Sequence, residues 1–191
     1  MRRLAVLLAI CFPAMAQEAP VEKLHASLLE VMKVGPELGF AGRAQALEPV
    51  VAEVFDLPGM TRAAIGTQAA RMSPGELDRL TEAFRRYTIA NYARQFASWD
   101  GERFETGAPA PAHGGGQLVP TRIIPATGEP ARLTYLMRER DGSWRINDIL
   151  LDGTISQLAV RRSEFQAALK QGGASGLLSL LERRTAALAA P

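Results

Sequence analysis

WRINDILLDGTISQLAVRRSEF, residues Trp144 to Phe165, holds a change of backbone habit within it. Its first eight residues are rich in apolar and β-branched side chains and read as a strand, Trp144–Leu151. Asp152-Gly153 is a turn dipeptide, and from Ile155 onward the apolar spacing becomes helical. Just upstream, Asp141-Gly142 is a second turn dipeptide, which pairs the strand with Ala131–Arg140 as a hairpin. Helical patterns precede and follow this hairpin. The sheet around Trp144 is therefore the surface on which the helices pack, and the fold class is α+β.

The pattern extends upstream in the same terms. On Ala131–Arg140, Leu133, Tyr135 and Met137 share one face, and Thr134, Leu136 and Arg138 share the other. Gln117–Ile124 is a further strand, in which Pro120 removes a ladder donor and predicts a position near an edge. Glu102–Thr106 completes a roughly four-stranded antiparallel sheet, and the Pro/Gly-dense Ala108–Gly116 is a loop. Ser73-Pro74-Gly75-Glu76 combines an N-cap serine, a first-position proline and a glutamate three residues after the cap. It predicts a long helix to about Trp99. Leu77, Leu80, Phe84 and Tyr87 form one stripe along it; Ile89, Tyr92 and Phe96 form an adjoining one. A sector that wide faces two neighbours, or one neighbour and a cavity.

Phe55-Asp56-Leu57-Pro58 starts a shorter helix over about Gly59–Arg71, with Asp56 as its cap. Helical spacing also covers about Phe40–Phe55, where Pro49 predicts a kink or restart. It covers Val21, Leu24, Leu28, Val31 and Met32 as well, up to a stop at Gly35-Pro36. Ile155–Lys170 and Ser175–Ala187 are closing helices separated by Gly172-Gly173. No internal repeat and no dividing linker interrupts residues 17–191, which form a single domain.

The N-terminus places that domain in a compartment. Arg2-Arg3, the apolar run Leu4–Phe12 and Ala14-Met15-Ala16 have the order of a secretory signal, cleaved after Ala16. The run is about half of the ~20 apolar residues a membrane span needs. Removing sixteen of the 191 residues leaves 175, enough for a sizeable core. Two of the 22 Lys and Arg leave with the leader, so twenty face 20 Asp and Glu and the formal charge is zero. Nucleic-acid binding loses its electrostatic basis. The one cysteine, Cys11, also leaves, so the exported domain has no disulfide and suits a bacterial periplasm.

Reactive constellations are weak. His113-Gly114-Gly115-Gly116 matches an oxyanion-hole loop of some hydrolases, but Gly172–Gly176 lacks the nucleophile-elbow spacing and no histidine follows His113. His25 and His113 lie in different regions, and without cysteine they make no closed zinc site. Asp148 and Asp152 would share one strand face as a carboxylate pair. The plainer reading gives Asp148 an arginine partner and Asp152 the turn. Arg161, Arg162 and Glu164 read as an ion-paired helix face, with anion recognition as the alternative. The sequence points to no enzyme, no cofactor and no metal.

At the opening stretch the chain resembles a known family. WRINDILLDGTIS followed by SEF is similar to the MlaC, or toluene-tolerance, family of periplasmic lipid-binding proteins. The resemblance includes Phe55-Asp56 before the short helix and Ser73-Pro74 before the long one. It also includes Phe84-Arg85-Arg86-Tyr87 with Tyr92 and Phe96, and the tail Leu177–Arg183. Ser156–Phe165 most resembles the hopanoid-associated branch, HpnM. The resemblance implies a helical cradle on a curved antiparallel sheet, with a lipid-tail cavity between them. It implies a carrier, monomeric and touching membranes peripherally, that meets envelope lipid-transport complexes.

On that reading the cavity residues are Phe55, Leu80, Phe84, Tyr87, Tyr92, Phe96, Ile123, Leu133, Tyr135, Met137, Ile146 and Ile149. The same side chains serve equally as ordinary core on sequence grounds alone. Arg161 and Arg162 are the candidate head-group contacts at the mouth. Each buried methylene contributes ~0.8 kcal/mol, so one long acyl chain gains on the order of 10 kcal/mol. A bilayer offers the same gain, so loading requires docking at a membrane complex. Phospholipid is the expected cargo and hopanoid the alternative. A groove for a partner protein's helix and an exported enzyme with an unrecognised site are the other classes.

Overall fold

A computed structural model describes residues 15–190. The apolar run of the expected leader lies outside the described residues. Helix α1 spans Met15–Lys33 and α2 Gly35–Val54. Helix α3 spans Leu57–Ile65 and α4 Pro74–Gln95, joined by a 3-10 turn over Gly66–Arg71. The strands are β1 (Arg103–Thr106), β2 (Ala110–Pro111), β3 (Gln117–Ile124), β4 (Ala131–Arg140), β5 (Ser143–Leu151) and β6 (Ile155–Ser156). Helix α5 spans Gln157–Ala189 and closes the chain. All strand pairs are antiparallel, in the order β1-β3-β4-β5-β6, with β2 also on β3.

The two Asp-Gly turns take the conformation their residues favour. Asp141 and Gly142 have φ of 52° and 75°, and Asp152 and Gly153 have 49° and 72°. Positive φ at both central residues matches the twist of the flanking strands. Ser73 makes the full capping box with Glu76. Asp56 caps α3 by accepting from the Gly59 amide at 3.0 Å. The expected division of the closing segment holds too: Gly172 and Gly173 are the non-helical residues inside α5.

Four sequence expectations are corrected. Helix α2 runs through Pro49 and breaks instead at Gly39, whose φ of 62° and ψ of −179° only glycine adopts readily. Helix α3 stops at Ile65, where Gly66 takes φ 67°. Helix α4 ends at Gln95, four residues before Trp99. Strand β3 is interior to the sheet, since β1 and β2 pair on one side and β4 on the other. Pro120 is tolerated because it falls in the gap between β1 and β2. There its carbonyl accepts from the Gly107 amide at 2.8 Å.

One irregularity shapes the sheet. Leu136 pairs with Asp148 but Met137 pairs with Ile146, leaving Asn147 as an extra residue on β5. Such a bulge bends its strand and resets the alternation of faces. Ile146 and Ile149, three residues apart, consequently pair with Met137 and Tyr135 on one face. The free edge of β5 is covered where the chain leaves α2: Phe55 bridges Ile146, and the Asp56 amide donates to the Ile146 carbonyl at 2.9 Å. Helices α1, α2, α3 and α5 pack on the sheet and α4 packs on α2, α3 and α5, and the core they share contains Leu24, Leu28, Val51, Phe55, Ile65, Leu80, Met137, Ile146, Phe165 and Leu181.

Candidate functional site

Helix α4 faces the sheet with residues 84, 87, 88, 91, 92, 95 and 96, an i, i+3, i+4 stripe that repeats to the helix end. Across from it, three cross-strand pairs form a wall: Tyr135 with Ile149, Leu133 with Leu151, and Ile123 with Ala131. Phe55 and Met60 make the floor, and Gln157, Leu158 and Arg161 of α5 a third side. Between these surfaces lies a cavity of about 400 Å³. That volume falls toward the smaller end of the ~300–1,000 Å³ typical of small-molecule sites. Phe55, Phe84 and Tyr135 at the deep end are buried, whereas Gln95, Ala131 and Leu151 are exposed and mark the mouth.

Of the twelve cavity residues expected from sequence, nine line this space: Phe55, Phe84, Tyr87, Tyr92, Phe96, Ile123, Leu133, Tyr135 and Ile149. Leu80, Met137 and Ile146 do not. All three are fully buried in solid core. Leu80 lies one turn too early, where α3 and α5 close over α4. Met137 and Ile146 lie beyond the bulge, where the α2–α3 junction pairs with the edge of β5 through Phe55. Arg161 reaches the lining, but Arg162 is exposed and lies against Gly66 instead.

Some lining residues escaped the sequence reading. Ala131 and Leu151 continue the two-residue alternation of Leu133 and Ile149, and that signal was present. Thr88, Asn91 and Gln95 continue the helical stripe but are polar, so a search for apolar residues passes over them. The helix itself satisfies two of them: Thr88 donates to the Phe84 carbonyl and Asn91 to the Tyr87 carbonyl, both at 2.8 Å. Gln157 and Leu158 had no periodic signal, because the turn at Asp152-Gly153 alone sets their direction.

Asp148 is the buried carboxylate of the wall. Among the described residues no arginine pairs with it, contrary to the sequence expectation. It accepts from the Leu158 amide at 3.0 Å, the Ile149 amide at 2.7 Å and the Ser156 hydroxyl. Ser156 in turn accepts from the Ala159 amide at 2.9 Å as the N-cap of α5. Asp148 and Ser156 therefore anchor the amide end of a helix, where negative charge is favourable. Asp152 is exposed in its turn, so the two aspartates do not converge. His113 is likewise exposed, in a loop that Arg138 holds by donating to the Gly114 carbonyl at 2.6 Å. Among the described residues no cluster of three or more His, Cys, Asp or Glu is placed to hold a metal.

Two polar arrangements border the cavity. On the same face of the sheet, beside α1, His25 Nε2 and the Tyr135 hydroxyl share a hydrogen bond of 3.2 Å, and the imidazole stacks on Phe104. His25 Nδ1 is buried without a partner, and burial lowers the imidazole pKa to about 4. Burial also raises the phenols of Tyr92 and Tyr135, keeping both neutral. On the α5 side, the Arg161 guanidinium lies 5.0 Å over the Tyr87 ring and pairs with Glu164 at 3.3 Å. Arg184 pairs with the same carboxylate at 2.6 Å. Burial opposes ionisation of Glu164, but the two arginines outweigh it and hold its pKa below the usual carboxylate value. The cavity thus offers apolar walls, neutral phenols and, among the described residues, one cation in its lining.

The sequence profile of the MlaC protein family matches residues 22–183. The chain belongs to the MlaC family. Comparison with curated proteins gives no match. Among solved structures, the chain is similar to the phospholipid-binding protein of Ralstonia solanacearum, determined in complex with a phospholipid. The TM-score is 0.78 at 23% identity, covering 92% of this chain and 99% of that one. This MlaC-family chain therefore shares its fold along nearly its whole length, helical cradle and sheet included. No helix among the described residues is long and apolar enough to cross a membrane.

Proposed function

We propose that this MlaC-family chain is a periplasmic lipid carrier that holds lipid tails between α4 and the sheet and shuttles them between envelope membranes. The observation that carries the reading is the cavity itself. Its walls are aromatic and aliphatic, the carboxylate of Asp148 is already hydrogen-bonded, and Arg161 is the one cation of its lining among the described residues. Such a space takes up an acyl chain by the hydrophobic effect and asks for no reactive group. Phospholipid is the favoured cargo, supported by the phospholipid held in the Ralstonia relative's structure and by Arg161, which suits a phosphodiester. The nine lining residues expected from sequence are the proposed tail contacts.

Because a bilayer holds tails as well as the cavity does, the carrier exchanges cargo while docked at membrane lipid-transport complexes, and it works as a monomer. Export follows cleavage after Ala16, which N-terminal sequencing of the periplasmic protein checks; a retained Met1–Ala16 refutes it. The deciding experiment is native mass spectrometry of protein purified from a host making both phospholipid and hopanoid, followed by extraction and lipid analysis. Stoichiometric phospholipid is expected. Hopanoid alone overturns the ranking of cargo, and protein without lipid sinks the carrier in favour of a protein-binding groove.

A further inference from the structure

Six large apolar side chains are exposed among the described residues: Val34, Leu38, Trp99, Leu151, Ile155 and Val160. They come from separate segments, yet the topology gathers them at one end of the molecule. Antiparallel pairing puts the start of β1, the end of β3, the start of β4 and the end of β5 side by side. Trp99 donates its indole N–H to the Glu102 carbonyl, at 2.9 Å, immediately before β1. The α1–α2 junction is fixed there too. Lys33 Nζ lies 5.6 Å from the centre of the Trp99 ring, and Gly35 packs so closely that a Cβ on it would lie 2.2 Å from the Ala97 carbonyl. Ile155 pairs with Leu151, and Ile155 and Val160 hold the positions flanking the α5 cap that a hydrophobic staple brings together.

The same end carries the cavity mouth. Leu151 belongs to both sets, so apolar surface continues from the cavity wall to the outside. Single exposed apolar residues need no explanation, but several gathered at the end where a cavity opens do. We infer that this end is a bilayer-contacting face, its rim seated at the boundary of head groups and acyl chains with the mouth turned toward the lipid.

The occupant follows from the chemistry of the rim. Tryptophan flanked by cations is the combination that favours a membrane–water interface. Lys33 lies over Trp99, and Arg132 neighbours Leu133 at the start of β4 with no ion-pair partner among the described residues. They complement phosphodiester oxygens locally. Glu37, Asp100 and Asp152 at the same end keep the net field small, so the contact depends on insertion and only weakly on salt. The inference rests on the carrier reading: the face seats the docked carrier on the bilayer beside its transport complex, so a tail reaches the cavity without crossing water.

The chain has two tryptophans, and Trp144 stands at the opposite end of the sheet. The test uses exported protein with its N-terminus sequenced, and protein-free vesicles of phosphatidylethanolamine and phosphatidylglycerol with brominated acyl chains. Trp99 in W144F should be quenched and Trp144 in W99F should not. Ile155→Glu, at an exposed site, should lower vesicle flotation at least about tenfold relative to wild type; that comparison needs no tryptophan change. Absence of both quenching and flotation, or equal quenching at the two tryptophans, overturns the face and leaves it to a protein partner. Co-purified lipid, measured in parallel, separates the two ideas. Lipid without vesicle binding refutes the membrane face alone, whereas vesicle binding without co-purified lipid refutes the carrier and retains the face.

Discussion

Acid should loosen this protein through one residue. His25 is buried against Phe104 with an orphaned Nδ1, and its pKa falls from 6.5 to about 4 on folding. Above pH 6.5 the imidazole is neutral in both states and no stability is lost. As pH falls toward 4, the unfolded chain takes up a proton that the folded chain refuses, so the folded state weakens. Below about 4 both states are charged and the loss is complete, at about 3 kcal/mol for ~1.4 kcal/mol per unit. Between pH 7 and 5 the same linkage predicts a loss of about 2 kcal/mol. The hydrogen-bonded carboxylates Glu76, Glu82 and Glu164 have pKa values below 4.5, so their contribution lies at lower pH. Urea unfolding of wild type and His25→Gln at pH 7 and 5 isolates the effect, since the glutamine variant should lose the slope. Equal slopes in both proteins, or an NMR titration of His25 near 6.5, refute the reasoning. Because His25 bonds to Tyr135, bound lipid should become more easily released over the same pH window.

Leu133→Glu puts a carboxylate on the half-buried cavity wall and should abolish lipid retention, whereas Thr134→Glu on the other strand face should not; native mass spectrometry of the folded variants decides. Arg161→Ala removes the one cation of the lining and should weaken phospholipid binding by about 10- to 100-fold, the value of ~1.5–3 kcal/mol for a charged hydrogen bond, while Arg162→Ala changes little. A fluorescent phospholipid displacement assay reads both, and equal effects at 161 and 162 contradict the assignment. Asp56→Ala removes the α3 cap and the partner of Arg140 at 2.8 Å and should cost about 2 kcal/mol in denaturant unfolding; a loss near zero would show that the cap is idle.

The elements with local causes were legible. A capping box, two Asp-Gly turns, a two-residue alternation and a Gly-Gly pair are written in neighbouring residues, and the start of α4 at Pro74, strand Ala131–Arg140 and the Gly172-Gly173 break follow from them. What escaped depends on residues far apart in the chain. Gly39 rather than Pro49 breaks α2 because Pro49 forgoes one amide bond in an otherwise supported helix, while Gly39 supplies a conformation that the chain reversal at Gly35 demands. Pro120 sits inside the sheet because the partner strand is interrupted opposite it, which no reading of β3 alone reveals. The bulge at Asn147 is likewise invisible in WRINDILL. It nevertheless decides that Ile146 and Ile149, three residues apart, share the helix-covered face.

The cavity residues separate along that same line. Leu80, Phe84 and Tyr87 are equivalent on a helical wheel, but only the latter two border empty space, because α3 ends at Ile65 and stops covering α4 beyond its first turns. A cavity is the absence of a neighbour, and absence has no periodic signature in the residues that line it. Where α3 stops is set by Gly66, and where α5 begins is set by Ser156 and Asp148. The site therefore owes its existence to caps and turns outside its walls. Substituting wall residues tests what the cavity holds, whereas substituting Asp148 or Gly66 tests whether it stays open. Asp148→Asn keeps the side chain's size but removes the charge at the α5 amide end. Its loss should appear first as reduced lipid capacity, with the Leu158 side of the cavity released, and only second as a modest fall in stability.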